Sequence, residues 1–350
     1  MRKNICGIQQ VGIGVKNAKE AWKWYRQAFG MDIKVFEDTA TARLMKHYTN
    51  GLECNRYAAL AMNMEGGGGF EIWQHTDMVP KPPFFDIKLG DCGILVCKMK
   101  CRDVQKAFNA HSSMGVSVLG NPTHDPLGNL HYYLTDPYNN IFEVVHDENY
   151  YIKQKSLTGG VAGVVIGVSN IQEAIKVYSG ILQYDKVIYD ITGQFEDLSF
   201  LPGGNEKYRR ILLKHEPRTG PFSKLLGPTQ IELIESLDRK PGKIFKDRIW
   251  GELGYIHLCF DIQGMEFLKK ECENQGLPFT VNSADSFDMG TAAGHFSYIS
   301  DLDGTPIEFV ETHKLPIAEK IGWYMNLKGR DTKKSLPDWM IKTLTFNRVK

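Results

Sequence analysis

Four stretches of the chain share one grammar: a strand, a helix that stops at a glycine, then a new apolar strand. They read QVGIGVKNAKEAWKWYRQAFGMDIKVF, GILVCKMKCRDVQKAFNAHSSMGVSVL, GVVIGVSNIQEAIKVYSGILQYDKVIY and HLCFDIQGMEFLKKECENQGLPFTV. A repeat constrains the fold more than composition does, because each copy must bury the same face in the same way. Asn17, Asp103 and Asn170 stand at N-cap positions, where a short side-chain oxygen satisfies free backbone N–H groups. Gly30, Gly115, Gly180 and Gly276 stand where the helices are expected to end, since glycine enters left-handed backbone without strain.

Each repeat runs on to a closing strand: GFEIWQ, NIFEVVH, TQIELIE and TPIEFVE. Each places a glutamate at the same point, Glu71, Glu143, Glu232 and Glu308. Side chains alternate faces along a strand, so each glutamate lies opposite the apolar neighbours that cover the helices. Four in register imply a polar inner surface. The opening strands alternate likewise: Val11, Ile13 and Val15 form one core-facing set and Leu258, Phe260 and Ile262 another. That leaves Gln10, Gly12 and Gly14, and His257, Cys259 and Asp261, on the inner face. Aligned across the repeats, the position of Gln10 is taken by Gly93, Gly163 and His257.

The modules span 5–80, 90–148, 161–238 and 252–313, giving halves 5–148 and 161–313 joined by a linker at 149–160. A tail at 314–350 is expected to add a short helix and coil on the outside. The architecture expected is α+β, with four βαβββ modules building two tandem domains of cupped mixed sheets.

Acids and bases nearly cancel, 41 against 42, and no basic stripe appears, which argues against nucleic acid and anionic membrane as partners. No apolar run reaches the roughly 18 residues of a membrane span, and the N-terminus lacks the apolar segment of a signal peptide. The seven cysteines form no CxxC pair and read as buried free thiols, so a cytoplasmic protein is expected, as monomer or homodimer. EGGGGF lacks the Lys-Ser/Thr of a phosphate loop and leads into a strand, so it reads as a hairpin.

A βαβββ unit written in tandem pairs resembles the vicinal oxygen chelate superfamily of glyoxalase I, bleomycin-resistance proteins and extradiol dioxygenases. TDPYNNIFEV and SDLDGTPIEFVE look like its turn before a metal-binding glutamate, and QVGIGVKN and HLCFDI look like its first ligand strand. The resemblance implies a cup closed by two modules, with a metal ligand from each opening and each closing strand. If neighbouring modules pair, one cup holds Gln10, Glu71, Gly93 and Glu143, and the other Gly163, Glu232, His257 and Glu308. If the first pairs with the fourth, one cup gathers Gln10, Glu71, His257 and Glu308, a set similar to that of glyoxalase I. The second arrangement is preferred. Facing carboxylates repel and are costly to desolvate without a cation, and this set suits Zn, Ni, Co, Mn or Fe(II). Glu143 and Glu232 are then left in a vestigial cup or at a subunit contact.

The function implied is a metal-dependent isomerase, epimerase or lyase that acts on a small hydroxy-carbonyl or sugar-like substrate through a metal-stabilised enediolate. Glu71 and Glu308 are its expected catalytic acid and base. Tyr298, His295 and Trp73 are expected to face substrate. An extradiol or hydroxyphenylpyruvate-type dioxygenase is the alternative, although Gly163 stands where its first histidine would be. A metal-free small-molecule binding or resistance protein, its groove lined by Trp73, Phe296 and Tyr298, is the third reading.

Overall fold

The computed structural model describes residues 3–284, 287–289, 292–318 and 323–349. The first module contributes β1 (Asn4–Gly14), α1 (Ala18–Phe29), β2 (Ile33–Thr41), β3 (Asn55–Met62) and β4 (Gly69–His75). The second contributes β5 (Gly93–Cys101), α2 (Val104–Ser113), β6 (Ser117–His124), β7 (Leu130–Thr135) and β8 (Ile141–His146). The third has β9 (Val161–Gly167), α3 (Ile171–Ile175), β10 (Lys186–Gly193), β11 (Tyr208–Lys214), α4 (Ser223–Leu226) and β12 (Gln230–Ser236). The fourth has β13 (Gly254–Gln263), α5 (Met265–Asn274), β14 (Val281–Asn282), β15 (Phe287–Met289), β16 (Ala292–Ser300) and β17 (Pro306–Ala318), before β18 (Trp323–Asn326) and α6 (Asp338–Lys342).

The local signals act as their chemistry dictates. Asn17 accepts from the backbone N–H groups of Lys19 and Glu20, and Gly30 closes α1 in left-handed backbone. Asp103 and Asn170 cap α2 and α3. The third helix departs from expectation. It continues as a π turn over Lys176–Ile181, which moves the exit past Gly180 to Gln183, at φ 58°. The tail departs too: β18 extends the sheet beside β17 before α6 forms, and Leu327, Leu336 and Ile341 pack on Ile33, Met62 and Leu226. Gly322, which opens that stretch, lies outside the described residues.

Two mixed sheets result. One runs β14-β16-β17-β13-β1-β4-β3-β2, and the other runs β10-β11-β12-β9-β5-β8-β7-β6. The first joins the first module to the fourth through the antiparallel pair β1–β13, and the second joins the second to the third through β5–β9. The sequence halves 5–148 and 161–313 thus exchange modules. Helices cover one face of each sheet, and a single apolar core takes in Val11, Ile13, Phe70, Ile72, Phe142, Val144, Leu258, Phe260, Ile307 and Phe309. The aspartate turns tie the modules together. Asp136 accepts from the backbone of Tyr138 and Asn140 and from the Tyr25 hydroxyl of α1, and Asp301 does likewise for Asp303, Thr305 and Tyr178. All seven cysteines are free and buried.

Candidate metal centre

The register of the first sheet brings four polar side chains to one point. Glu71 on β4 pairs with Gly12 across a parallel ladder, and Gln10 lies two residues away on the same face. His257 on β13 pairs with Gly12 from the other side, and Glu308 on β17 pairs with Cys259. Gly12 makes this possible: a Cβ there would sit 2.4 Å from His257 Cε1, so the missing side chain is the space the imidazole occupies.

His257 Nε2 lies 3.3 Å from Glu71 Oε2 and 3.1 Å from Glu308 Oε2. The Gln10 amide nitrogen donates to the same two oxygens at 3.3 and 3.4 Å. One ligand atom each from Glu71, His257 and Glu308 falls within 4.8 Å of the others. Around an ion with bonds of about 2.1 Å, neighbouring ligands stand roughly 3.0–3.4 Å apart, so these separations are edges of a coordination shell. The orphaned atoms agree. His257 Nε2, the nitrogen that faces the two carboxylates, and Gln10 Oε1 are buried without a hydrogen-bond partner, which leaves donor atoms open to an ion. The residues present fit a divalent ion.

Burial pushes the Glu71 carboxyl up to about 7, with His257 opposing and Glu308 reinforcing the rise. Burial disfavours the His257 imidazolium, but Glu308 and Glu71 overcome it and hold its pKa above the ordinary value. Without an added cation, the set shares protons to relieve its charge. Trp250 stacks on His257 with ring centroids 5.8 Å apart, and Tyr298 meets it edge-on at 5.7 Å. Tyr298 pairs with Glu308 in the ladder, and burial, then the Glu308 and Glu71 charges, push its phenol well up. Trp73 lies beyond Glu71 on the inner face, buried against Trp250, with its indole N–H unpartnered. His295 does not join them. It alternates with Phe296 and Tyr298 onto the helix-covered face and bonds to Asn282 Oδ1 at 2.5 Å.

The second cup solves the same charge problem from within. Lys98 Nζ stands 2.5 Å from Glu143 Oε2 and 2.9 Å from Glu232 Oε2, all three buried. Arg210 Nε donates to the other Glu232 oxygen at 2.7 Å while its Nη1 binds Asp197, and Tyr189 donates to Glu232 at 2.8 Å. His131 Nδ1 lies 2.7 Å from Glu143 Oε1. Burial alone would raise both carboxyls. The charges of Lys98 on Glu143, and of Arg210 and Lys98 on Glu232, outweigh it and hold both below the usual range.

In this module the observed register departs from the repeat alignment. The register places Val96, not Gly93, at the position of Gln10, and Lys98 faces Gly163 where no side chain competes for the space. The cup left with Glu143 and Glu232 thus holds the His131 imidazole and the cations Lys98 and Arg210. A trace was present in GILVCKMKC: two lysines spaced by two in an otherwise apolar strand, placing both charges on one face.

Residues 7–144 match the model of the Glyoxalase/Bleomycin resistance protein/Dioxygenase superfamily. No curated protein sequence matches the chain. Glyoxalase I from Zea mays superposes with a TM-score of 0.55 at 14% identity, over 88% of this chain and 92% of that one. A putative dioxygenase from Bacillus subtilis subsp. subtilis str. 168 does so with a TM-score of 0.58 at 12% identity, over 99% of this chain and 97% of that one. At such identities the likeness is one of fold. Residues 7–144 thus carry the signature of the Glyoxalase/Bleomycin resistance protein/Dioxygenase superfamily, and the two mixed sheets extend a fold of that form through the rest of the chain.

Proposed function

We propose that the chain is a divalent-metal-dependent isomerase, epimerase or lyase for a small hydroxy-carbonyl compound, acting in the cup of β1, β4, β13 and β17. One observation carries this: two carboxylates, an imidazole and an amide converge at ligand spacing where, among the described residues, no lysine or arginine pairs with them. Gln10, Glu71, His257 and Glu308 would hold the ion. Such an ion, when bound, supplies Lewis acidity to neighbouring substrate oxygens and so acidifies the C–H beside a carbonyl. Glu71 and Glu308 stand on strands at either side of the central β1–β13 pair. One carboxylate can therefore accept a proton at Oε while the other delivers one to the opposite face. Trp250 and Tyr298 fix the imidazole plane from two sides.

Elemental analysis of protein purified without added metal, followed by proton exchange of hydroxy-carbonyl compounds in deuterated water, tests this reading. Close to one equivalent of a transition metal, and solvent deuterium beside the substrate carbonyl, are expected. Less than about a tenth of an equivalent, with no uptake on reconstitution, overturns it. Oxygen consumption without exchange would instead favour a dioxygenase, a reading that the single imidazole among these donors disfavours.

A further inference from the structure

A cleft of about 290 Å³ lies along the strands of the second cup, and its lining includes Asn129, Val145, Asp147, Lys214 and Gln230. These residues continue the strands that carry the Lys98 cluster. Asn129 leads into His131, Val145 follows Glu143, Gln230 precedes Glu232, and Lys214 ends the strand of Arg210. One row across the sheet matters most. Val145, on the cleft wall, pairs with His131 on one side and with Lys100 on the other. Residues paired across adjacent strands point to the same face, so Lys100 and His131 flank the cleft residue Val145, just beneath the lining.

Both carry polar atoms with nothing to bind. His131 is 1% exposed and its Nε2 has no partner. Lys100 is 3% exposed, and among the described residues it makes no ion pair or side-chain hydrogen bond. Its ammonium reaches the loop that enters β12: a Cβ on Gly227, next to the cleft residue Pro228, would stand 3.8 Å from Nζ. The contrast with Lys98, two residues earlier on the same strand and held between two carboxylates, is direct. Burying a charge without a paired counter-ion is expensive, and burial accordingly lowers the Lys100 pKa, opposed but not reversed by the charges of Asp147 and Glu65.

We propose that this cleft is a second, metal-independent ligand site, which takes a small molecule whose carboxylate or phosphate oxygens pair with Lys100. Lys214 and the Gln230 amide lie where they meet the same anion. Asp147 and the exposed Glu148 also line the cleft, and they favour a ligand that carries hydroxyl or amino donors beside its anionic group. At about 30 Å³ per water-sized group, the cleft admits a ligand of roughly ten heavy atoms.

Calorimetric titration of chelator-treated protein with lactate and, separately, inorganic phosphate tests the site and distinguishes its two sources of anion. One equivalent of at least one probe should bind with a Kd near or below about 1 mM. Lys100→Met should weaken binding about 30-fold or more, while His257→Ala should leave it unchanged, which keeps this result separate from the fate of the metal centre. Binding of neither probe, or equal binding by Lys100→Met, overturns the proposal. If Lys100→Met does not fold, Gln230→Leu decides: an unchanged Kd overturns the site and a weakened one supports it.

Discussion

The two cups place glutamates at matching points and treat them in opposite ways. In the cup of β1 and β13, Glu71 is driven up to about 7, while in the cup of β5 and β9 Glu143 and Glu232 are held below the usual carboxylate range. Burial is the largest influence on all three, so it does not explain the difference. The cations do. Lys98 and Arg210 stand within 2.9 Å of the second pair of carboxylates, whereas the first pair faces one imidazole and one amide. A cup that carries its own ammonium is complete as folded. A cup that lacks one has donors at the spacing that could hold a cation from outside.

Removing the internal cation should have the largest effect. Lys98→Met leaves Glu143 and Glu232 buried and facing each other, and should lower unfolding stability by about 3–5 kcal/mol in a urea titration. A loss below about 1 kcal/mol would mean that Arg210 and His131 neutralise the cup without it.

Gly12→Ala attacks the other cup by sterics alone. The added methyl must displace the His257 ring, so metal affinity should fall at least about tenfold by calorimetry, with little change in the Lys98 cluster. Unchanged affinity would remove His257 from the ligand set.

The inner face of β13 also carries Asp261, fully buried, both oxygens unpartnered, its carboxyl pushed up to about 8 by burial. A carboxyl with a raised folded pKa takes up a proton on folding. Stability is therefore full below the unfolded value and declines as pH rises towards the folded one, from about 4 to about 8 here. Asp261→Asn should flatten that decline, with a gain of at least about 1 kcal/mol at pH 8 and none at pH 4. Parallel stability curves for the two proteins would show that Asp261 ionises freely.

Glu71 gives the same sign over a narrower window. Metal-free protein should lose stability as pH rises from the ordinary carboxyl value of 4.5 to about 7, and bound metal should abolish that loss. The rise in Tm on adding metal should then be a few degrees larger at pH 8 than at pH 5. An equal rise at both would place the ion away from Glu71.

Much of the architecture was legible before any coordinates. The caps at Asn17, Asp103 and Asn170, the repeated glutamates and the alternation around Gln10 and His257 are local, and local sterics and hydrogen bonding determine them. Register was not. Val96 rather than Gly93 matches Gln10 because β5 sets Lys98 opposite Glu143 in its parallel ladder, as β1 sets Gly12 opposite Glu71. The same limit hid Lys98: whether a strand lysine faces solvent or a carboxylate pair depends on which strands lie beside it. His295 reads much like Tyr298 in the sequence, yet it falls on the far face through alternation alone.

By itself, then, the sequence determined the four modules, their helix ends and the face on which each glutamate lies, because those follow from backbone periods and short-range capping. The tertiary structure alone decided that Gln10 meets His257, that Lys98 fills the other cup, and that Lys100 is left unpaired beside a cleft. Those outcomes rest on strands more than 50 residues apart in the chain pairing in one register, and a charge buried there is costly unless its counter-charge stands within a few ångströms.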